Sequence, residues 1–294
     1  MKFSKTYLIL TFGMVLWGMY PILTHKIVLN LDPLFLVSVS MLIASVPFII
    51  QLILKKEYKQ LFSQKILRAL VPVALFTAAG QAFLFAGTKL TSGINTGLLL
   101  QVEPVYSLIL GTIFLGEMVG GGQIGATLIM VAGAMTIVYK KGGVNLNFGD
   151  LLILLSPLMF QISHAIGKKI LNKGAKIGLV LAGRHLYGGI MLIIFAFITN
   201  KSIISLFNIN NIKTASYLGL YLSLLAFLWY SSIKKIPVSV ASSFLPLTAL
   251  VSLLGSVFFL KETISVQQYI GFFLIAGGII WQTHLPIHRI SSNK

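Results

Sequence analysis

The chain has 294 residues, of which 56% are hydrophobic and 10% charged, with a net charge of +17 and a mean hydropathy of +0.92. A soluble domain carries about 25% charged residues, so the deficit excludes an ordinary globular enzyme, a disordered chain and a soluble nucleic-acid binder; the 23 Lys+Arg against 6 Asp+Glu instead fit the loops of a membrane protein. Zero cysteines exclude a disulfide, a thiolate metal site and a Cys nucleophile, and leave the redox compartment open.

A helix that crosses a bilayer needs roughly 20 mostly apolar residues, because its backbone must satisfy its own hydrogen bonds in hydrocarbon. In chain order ten stretches qualify: 6–24, 32–54, 69–88, 92–115, 120–139, 149–167, 177–199, 214–232, 238–260 and 265–283. None shows the ten-residue alternation of a membrane barrel strand. Lys2 and Lys5 precede the first stretch as they would a cleaved signal. No small-x-small site follows, however, and the stretch has a counterpart later, so it is read as a crossing. With a cytoplasmic N-terminus, the cytoplasmic loops hold 15 Lys and Arg residues and the far side 7, with Arg184 left inside a helix. That bias predicts both termini in the cytoplasm.

The run from Leu98 to Met135 resembles the run from Ser243 to Ile280 at an offset of 145, pairing Lys89 with Lys234, Glu117 with Glu262, Gln123 with Gln268 and Gly133 with Gly278. Upstream, Lys26 meets Lys169 at an offset of about 143. The expected fold is therefore an all-α integral membrane protein of ten transmembrane helices, built as two five-helix repeats, 1–144 and 145–294. Five is odd, so the second repeat enters the membrane inverted, an arrangement recurrent in secondary transporters with a midplane site between the halves.

Glu103–Pro104 after an aliphatic run, FLGE at 114–117, a Gly-rich helix after it, FLKE at 259–262 and QQYIGFFLIAGG in the second copy together resemble the drug/metabolite transporter superfamily, and within it the EamA-type ten-helix carriers. Trp17–Gly18 and Gly149–Asp150 fit the same pattern. The resemblance spans about 5–139 and 148–283. It implies a bacterial inner (plasma) membrane carrier of small organic metabolites such as amino acids or their derivatives, often exported. The chain departs from it in two places. Met41 stands where members often carry an Arg, although the second copy keeps Arg184, and Pro246 sits three residues before the match to Pro104.

Ionisable groups inside a bilayer cost about 2.5–3.5 kcal/mol on insertion scales, so each needs a reason. Glu103 lies about 16 Å into the fourth stretch and Arg184 about 10 Å into the seventh, at 1.5 Å per residue. Either they meet a substrate or a coupling ion in a polar cavity, or they pin helices as a buried pair. Their depths differ by about 5 Å in a ~30 Å core, within reach of an Arg side chain. His185 is a further proton-coupling candidate beside Glu103; His164 has the same chemistry, whereas His25, His284 and His288 lie at helix ends and are read as solvated. No His or acidic cluster has metal-ligand spacing, so no metal or other cofactor is expected.

Trp17, Gln81, Asn95, Gln101, Tyr106 and Gln161 are candidate substrate-binding residues with Glu103 and Arg184: the amides offer hydrogen bonds and the rings apolar walls. Tyr20 and Tyr230 divide between cavity lining and the interfacial aromatic belt. Pro21, Pro104, Pro157 and Pro246 fall inside counterpart helices, where they either kink the moving elements around the binding region or are merely tolerated, as proline is in membrane helices. Gly121, Gly125, Gly133, Gly271, Gly277 and Gly278 mark the fifth and tenth helices as scaffold or as the face of a homodimer. Glu117 and Glu262 are expected to cap the helices that follow them. The functional expectation is an alternating-access carrier, with the bilayer and a small-molecule metabolite as partners, no nucleic acid and no P-loop ATPase. A membrane-embedded lipid or acyl-transfer enzyme would need catalytic groups gathered at one interface, and the acidic residues are scattered. A lipid-flipping subunit would share the same fold.

Overall fold

In hydrocarbon an unpaired peptide group is costly, so long apolar runs close into helices. The computed structural model describes residues 5–115, 117–118, 120–140, 143–144, 146–233, 235, 244–284 and 288–289. Among these, α1 (Lys5–Val28), α2 (Pro33–Leu54), α3 (Gln64–Leu90), α6 (Gly121–Val138), α7 (Phe148–Asn172), α8 (Ile177–Thr199) and α9 (Ile209–Ile233) are the 7 helices long and apolar enough to cross a membrane. The fourth apolar stretch is divided into α4 (Gly93–Leu99), a 3₁₀ turn (Leu100–Val102) and α5 (Glu103–Leu115). Pro104 explains the break: it has no N–H to donate to Leu100 O, four residues back, and its ring crowds that carbonyl. The ninth stretch holds α10 (Leu245–Gly255), which runs into one π-helical turn (Ser256–Leu260); the tenth holds α11 (Val266–Thr283). The only strand pairings among the described residues are two-residue ladders, Glu117–Met118 with His288–Arg289 and Tyr139–Lys140 with Gly143–Val144.

Helix starts are set by short side chains that accept from backbone amides otherwise left unpaired. The Asp32 carboxylate accepts from Phe35 N at 2.9 Å, and the Ser92 hydroxyl from Asn95 N at 3.0 Å. Asn147 accepts from Asp150 N at 2.7 Å while Asp150 accepts from Asn147 N at 3.3 Å. That reciprocal box opens α7.

Packing pairs α2 with α8, α3 with α7, α1 with α10 and α9, and α6 with α11. Lipid supplies no hydrophobic drive between helices, so close backbone approach at small residues does the holding. A Cβ at Gly133 would lie 2.8 Å from Ile275 Cγ1 and 3.0 Å from Gly271 O, and one at Gly271 would lie 2.8 Å from Gly133 O. The glycine stripes of α6 and α11 therefore face each other within one chain. Their opposite sides present Ile124, Leu128, Met135 and Phe273 outward.

Candidate functional site

Seven elements converge on one central cavity of about 50 Å³, room for a few water molecules. Its wall takes Leu10, Gly13, Met14 and Trp17 from α1, Gln81 from α3, Glu103 from α5, and Phe160 and His164 from α7. Arg184 and His185 come from α8, Leu222 to Tyr230 from α9, and Leu245 from α10. The fifth and tenth apolar stretches contribute nothing to it.

Glu103 heads α5 immediately after the 3₁₀ turn, and its Oε1 accepts from the Gln161 Nε2 amide across the gap to α7. Gln161 is thus the residue that holds the carboxylate. Arg184 is buried (4% exposed). Its Nη1 donates to Tyr230 Oη at 2.8 Å, and the guanidinium carbon lies 5.3 Å from the Tyr230 ring centroid. An Arg only donates, so Tyr230 Oη accepts here, and the same hydroxyl shares a hydrogen bond with His164 Nδ1, 3.2 Å away. The expected Glu103–Arg184 pair does not form: both groups face the cavity, but each takes a neutral partner. The ion pairs among the described residues are Lys176 with Glu57 and His25 with Glu262.

Below this cavity a second, about 10 Å³, is bounded by Trp17, Tyr20, Gln101, Glu103 and Pro157. Gln101 is pinned there: its amide donates to Gly97 O at 3.1 Å and its oxygen accepts from Thr248 Oγ1 at 3.0 Å. Tyr20 donates to Gln81 Oε1 at 3.1 Å and stacks on Trp17 at 5.7 Å. Tyr20 and Tyr230 are each 1% exposed, which removes both from an interfacial belt. Tyr106 packs against the core and lines neither cavity.

Asn95 lies elsewhere. It lines a polar pocket of about 600 Å³ with Thr91, Asn147, Gln267 and Gln268. Its Nδ2 donates to Asp150 Oδ1 at 3.1 Å, its Oδ1 accepts from Gln268 Nε2 at 2.8 Å, and Thr91 Oγ1 donates to Asp150 Oδ1 at 2.5 Å. Beside it, Glu262 does cap a helix start, but not the following one: Oε1 and Oε2 accept from Gly93 N and Ile94 N of α4, both at 2.8 Å. Glu117's side chain lies outside the described residues. His25 is not solvated: its Nδ1 is 2.8 Å from Thr88 O and its Nε2 3.8 Å from Glu262 Oε1. Trp229 and Phe160, which no sequence pattern singled out, reach the wall from α9 and α7.

Comparison with known proteins follows the same lines. A model of the EamA-like transporter family matches residues 4–139 and again 147–283. An uncharacterized transporter of Archaeoglobus fulgidus is 26% identical over 277 residues, covering 94% of this chain and 97% of its own. The uncharacterized transporter YetK of Bacillus subtilis is 25% identical, over 88% of this chain and 81% of its own. One crystal structure overlays with a TM-score of 0.68 at 17% identity, covering 96% of this chain and 99% of that one. At that identity the likeness shows the fold alone.

Proposed function

The chain belongs to the EamA-like transporter family, a multi-pass membrane transporter and not an enzyme, and from that premise we propose that it is a secondary carrier exporting small organic metabolites such as amino acids or their derivatives. Residues 1–144 and 145–294 act as two inverted five-helix repeats, making ten crossings in a bacterial inner membrane with both termini cytoplasmic. The observation that carries this reading is the central cavity, where Glu103 and Arg184 each take a neutral partner in a wall that is part polar and part apolar.

Exchange symmetry supports the inverted repeats. The second stretch packs on the seventh and the fifth on the tenth, each on its own counterpart, while the third meets the sixth as the eighth meets the first. Helix ends also sort into two layers. Thr88, Thr91, Asp150, Glu262 and Gln268 interlock at one end, whereas Glu57 meets Lys176 and Tyr187 donates to Leu61 O at 2.7 Å at the other. The cavity has room for only a few waters as it stands, so a substrate enters by parting one layer and leaves by parting the other. Glu103 is the coupling candidate, since a carboxylate facing a dry cavity can take up a proton on one side and give it up on the other; His185 is the alternative. Gly125, Gly133, Gly271 and Gly278 are used within the chain, so a homodimer would join through the outer faces of α6 and α11.

The test is uptake into proteoliposomes prepared without ATP, screening metabolites that first raise the melting temperature of the purified protein. Uptake driven by an imposed ion or substrate gradient is expected. Dependence on ATP, or chemical conversion of the added compound, would overturn the reading.

A further inference from the structure

The cavity wall has a hydrogen-bond deficit weighted towards donors. Arg184 Nε, His185 Nδ1 and Nε2, and Trp229 Nε1 are shut from solvent and have no partner, and all three residues line the same cavity. Arg184 is 4% and His185 1% exposed. An arginine or an indole N–H can only donate, and a neutral imidazole carries one donor and one acceptor, so three unpaired donors stand against one unpaired acceptor. The hydroxyls without a partner, Thr24, Thr88, Thr127 and Ser256, do not line this cavity. What is missing is therefore an acceptor, and the guanidinium beside it is an uncompensated positive charge. Glu103, the carboxylate on the wall, is engaged by Gln161 and lies more than 4 Å from the guanidinium.

Resting on the carrier reading above, we propose that Arg184, His185 and Trp229 form a carboxylate subsite, and that the transported molecule carries a single carboxylate on an apolar body. Guanidinium matches carboxylate in charge and in its forked donors. The rest of the wall, Leu10, Met14, Phe160, Leu222, Leu225 and Leu245, accepts the apolar remainder. Among the described residues one guanidinium faces the cavity and no lysine does. A second carboxylate, or a doubly charged phosphate, would be left unpaired in a dry wall, which selects against both.

A matched set of probes tests this: phenylacetate, its uncharged amide phenylacetamide, the cation phenethylamine and the dianion succinate. Binding is read from the intrinsic fluorescence of the reconstituted full chain, in which Trp229 is one of 3 tryptophans, and exchange by counterflow. Phenylacetate is expected to bind at least about tenfold more tightly than the amide, the range of one charge-assisted contact. Arg184→Met should erase that preference. Trp229→Phe, which keeps the ring and deletes the N–H, should reduce it about threefold, and it reports even if the Arg184 variant does not fold. Equal binding of acid and amide, preference for the amine or succinate, or full preference in both variants would overturn the subsite. Counterflow of the amine would do so while leaving the carrier standing. Phenylacetate binding without exchange would keep the subsite and overturn the carrier. If none of the four binds, the subsite is refuted, and accessibility of Met14→Cys then decides the carrier separately.

Discussion

Glu103 and Arg184 do different work although they share a wall. Glu103 is fixed by one amide, Gln161, and so is free to change charge; Arg184 is fixed by Tyr230 and is permanently charged. Glu103→Gln is expected to keep substrate exchange within about threefold of wild type and to abolish accumulation driven by a proton gradient, because only the protonation step is removed. Equal loss of both would make Glu103 a mere wall residue. Arg184→Ala exposes a different liability: Tyr230 and His164 lose the donor that orders them, and the melting temperature should fall along with transport. The intramembrane charges were legible in the sequence because hydrocarbon makes every one of them conspicuous. Their partners were not. Helix depth gives a residue's height but not its bearing, so Gln161 and Tyr230 took the places that depth alone assigned to Glu103 and Arg184. His25 misread as solvated has the same origin: a helix end looks polar in sequence whether it faces water or Glu262.

At the scale of elements, one carboxylate and two glycines carry separate loads. Glu262 satisfies the first two amides of α4 from the other half of the chain. Glu262→Ala should destabilise the fold by about 1–3 kcal/mol, the worth of hydrogen bonds to a charged group, and Glu262→Gln by less because one oxygen remains to accept. Melting in detergent separates them, and equal stability of all three proteins would deny the cap. Gly133→Val forces a side chain into the Gly271 carbonyl and Ile275, an overpacking cost of about 1–3 kcal/mol. Since α6 lines no part of the central cavity, ligand affinity per folded molecule should be unchanged. Apolar length announced these helices, and the break at Pro104 was readable from residue type. That Glu262 caps α4 rather than α11 was not, because a cap that crosses between halves leaves no local spacing to read.

For the whole molecule, the charge bias and the two interlocked layers make one topological claim. In the cysteine-free chain, Lys59→Cys and Ser202→Cys should react with an impermeant maleimide from opposite sides of the membrane, and reaction from one side would break the inverted-repeat arrangement. The central claim is that one cavity opens to each side in turn. Met14 lines that cavity and is 4% exposed, whereas Leu8 on the same helix is 59% exposed, on the outer surface of the fold. The direct measurement is the labelling of Met14→Cys by an impermeant thiol reagent added to right-side-out and to inside-out vesicles, with Leu8→Cys as the lipid-facing control. The alternating carrier predicts slow labelling of position 14 from both sides and none at position 8. Labelling of position 14 from one side alone, or from neither, would contradict it.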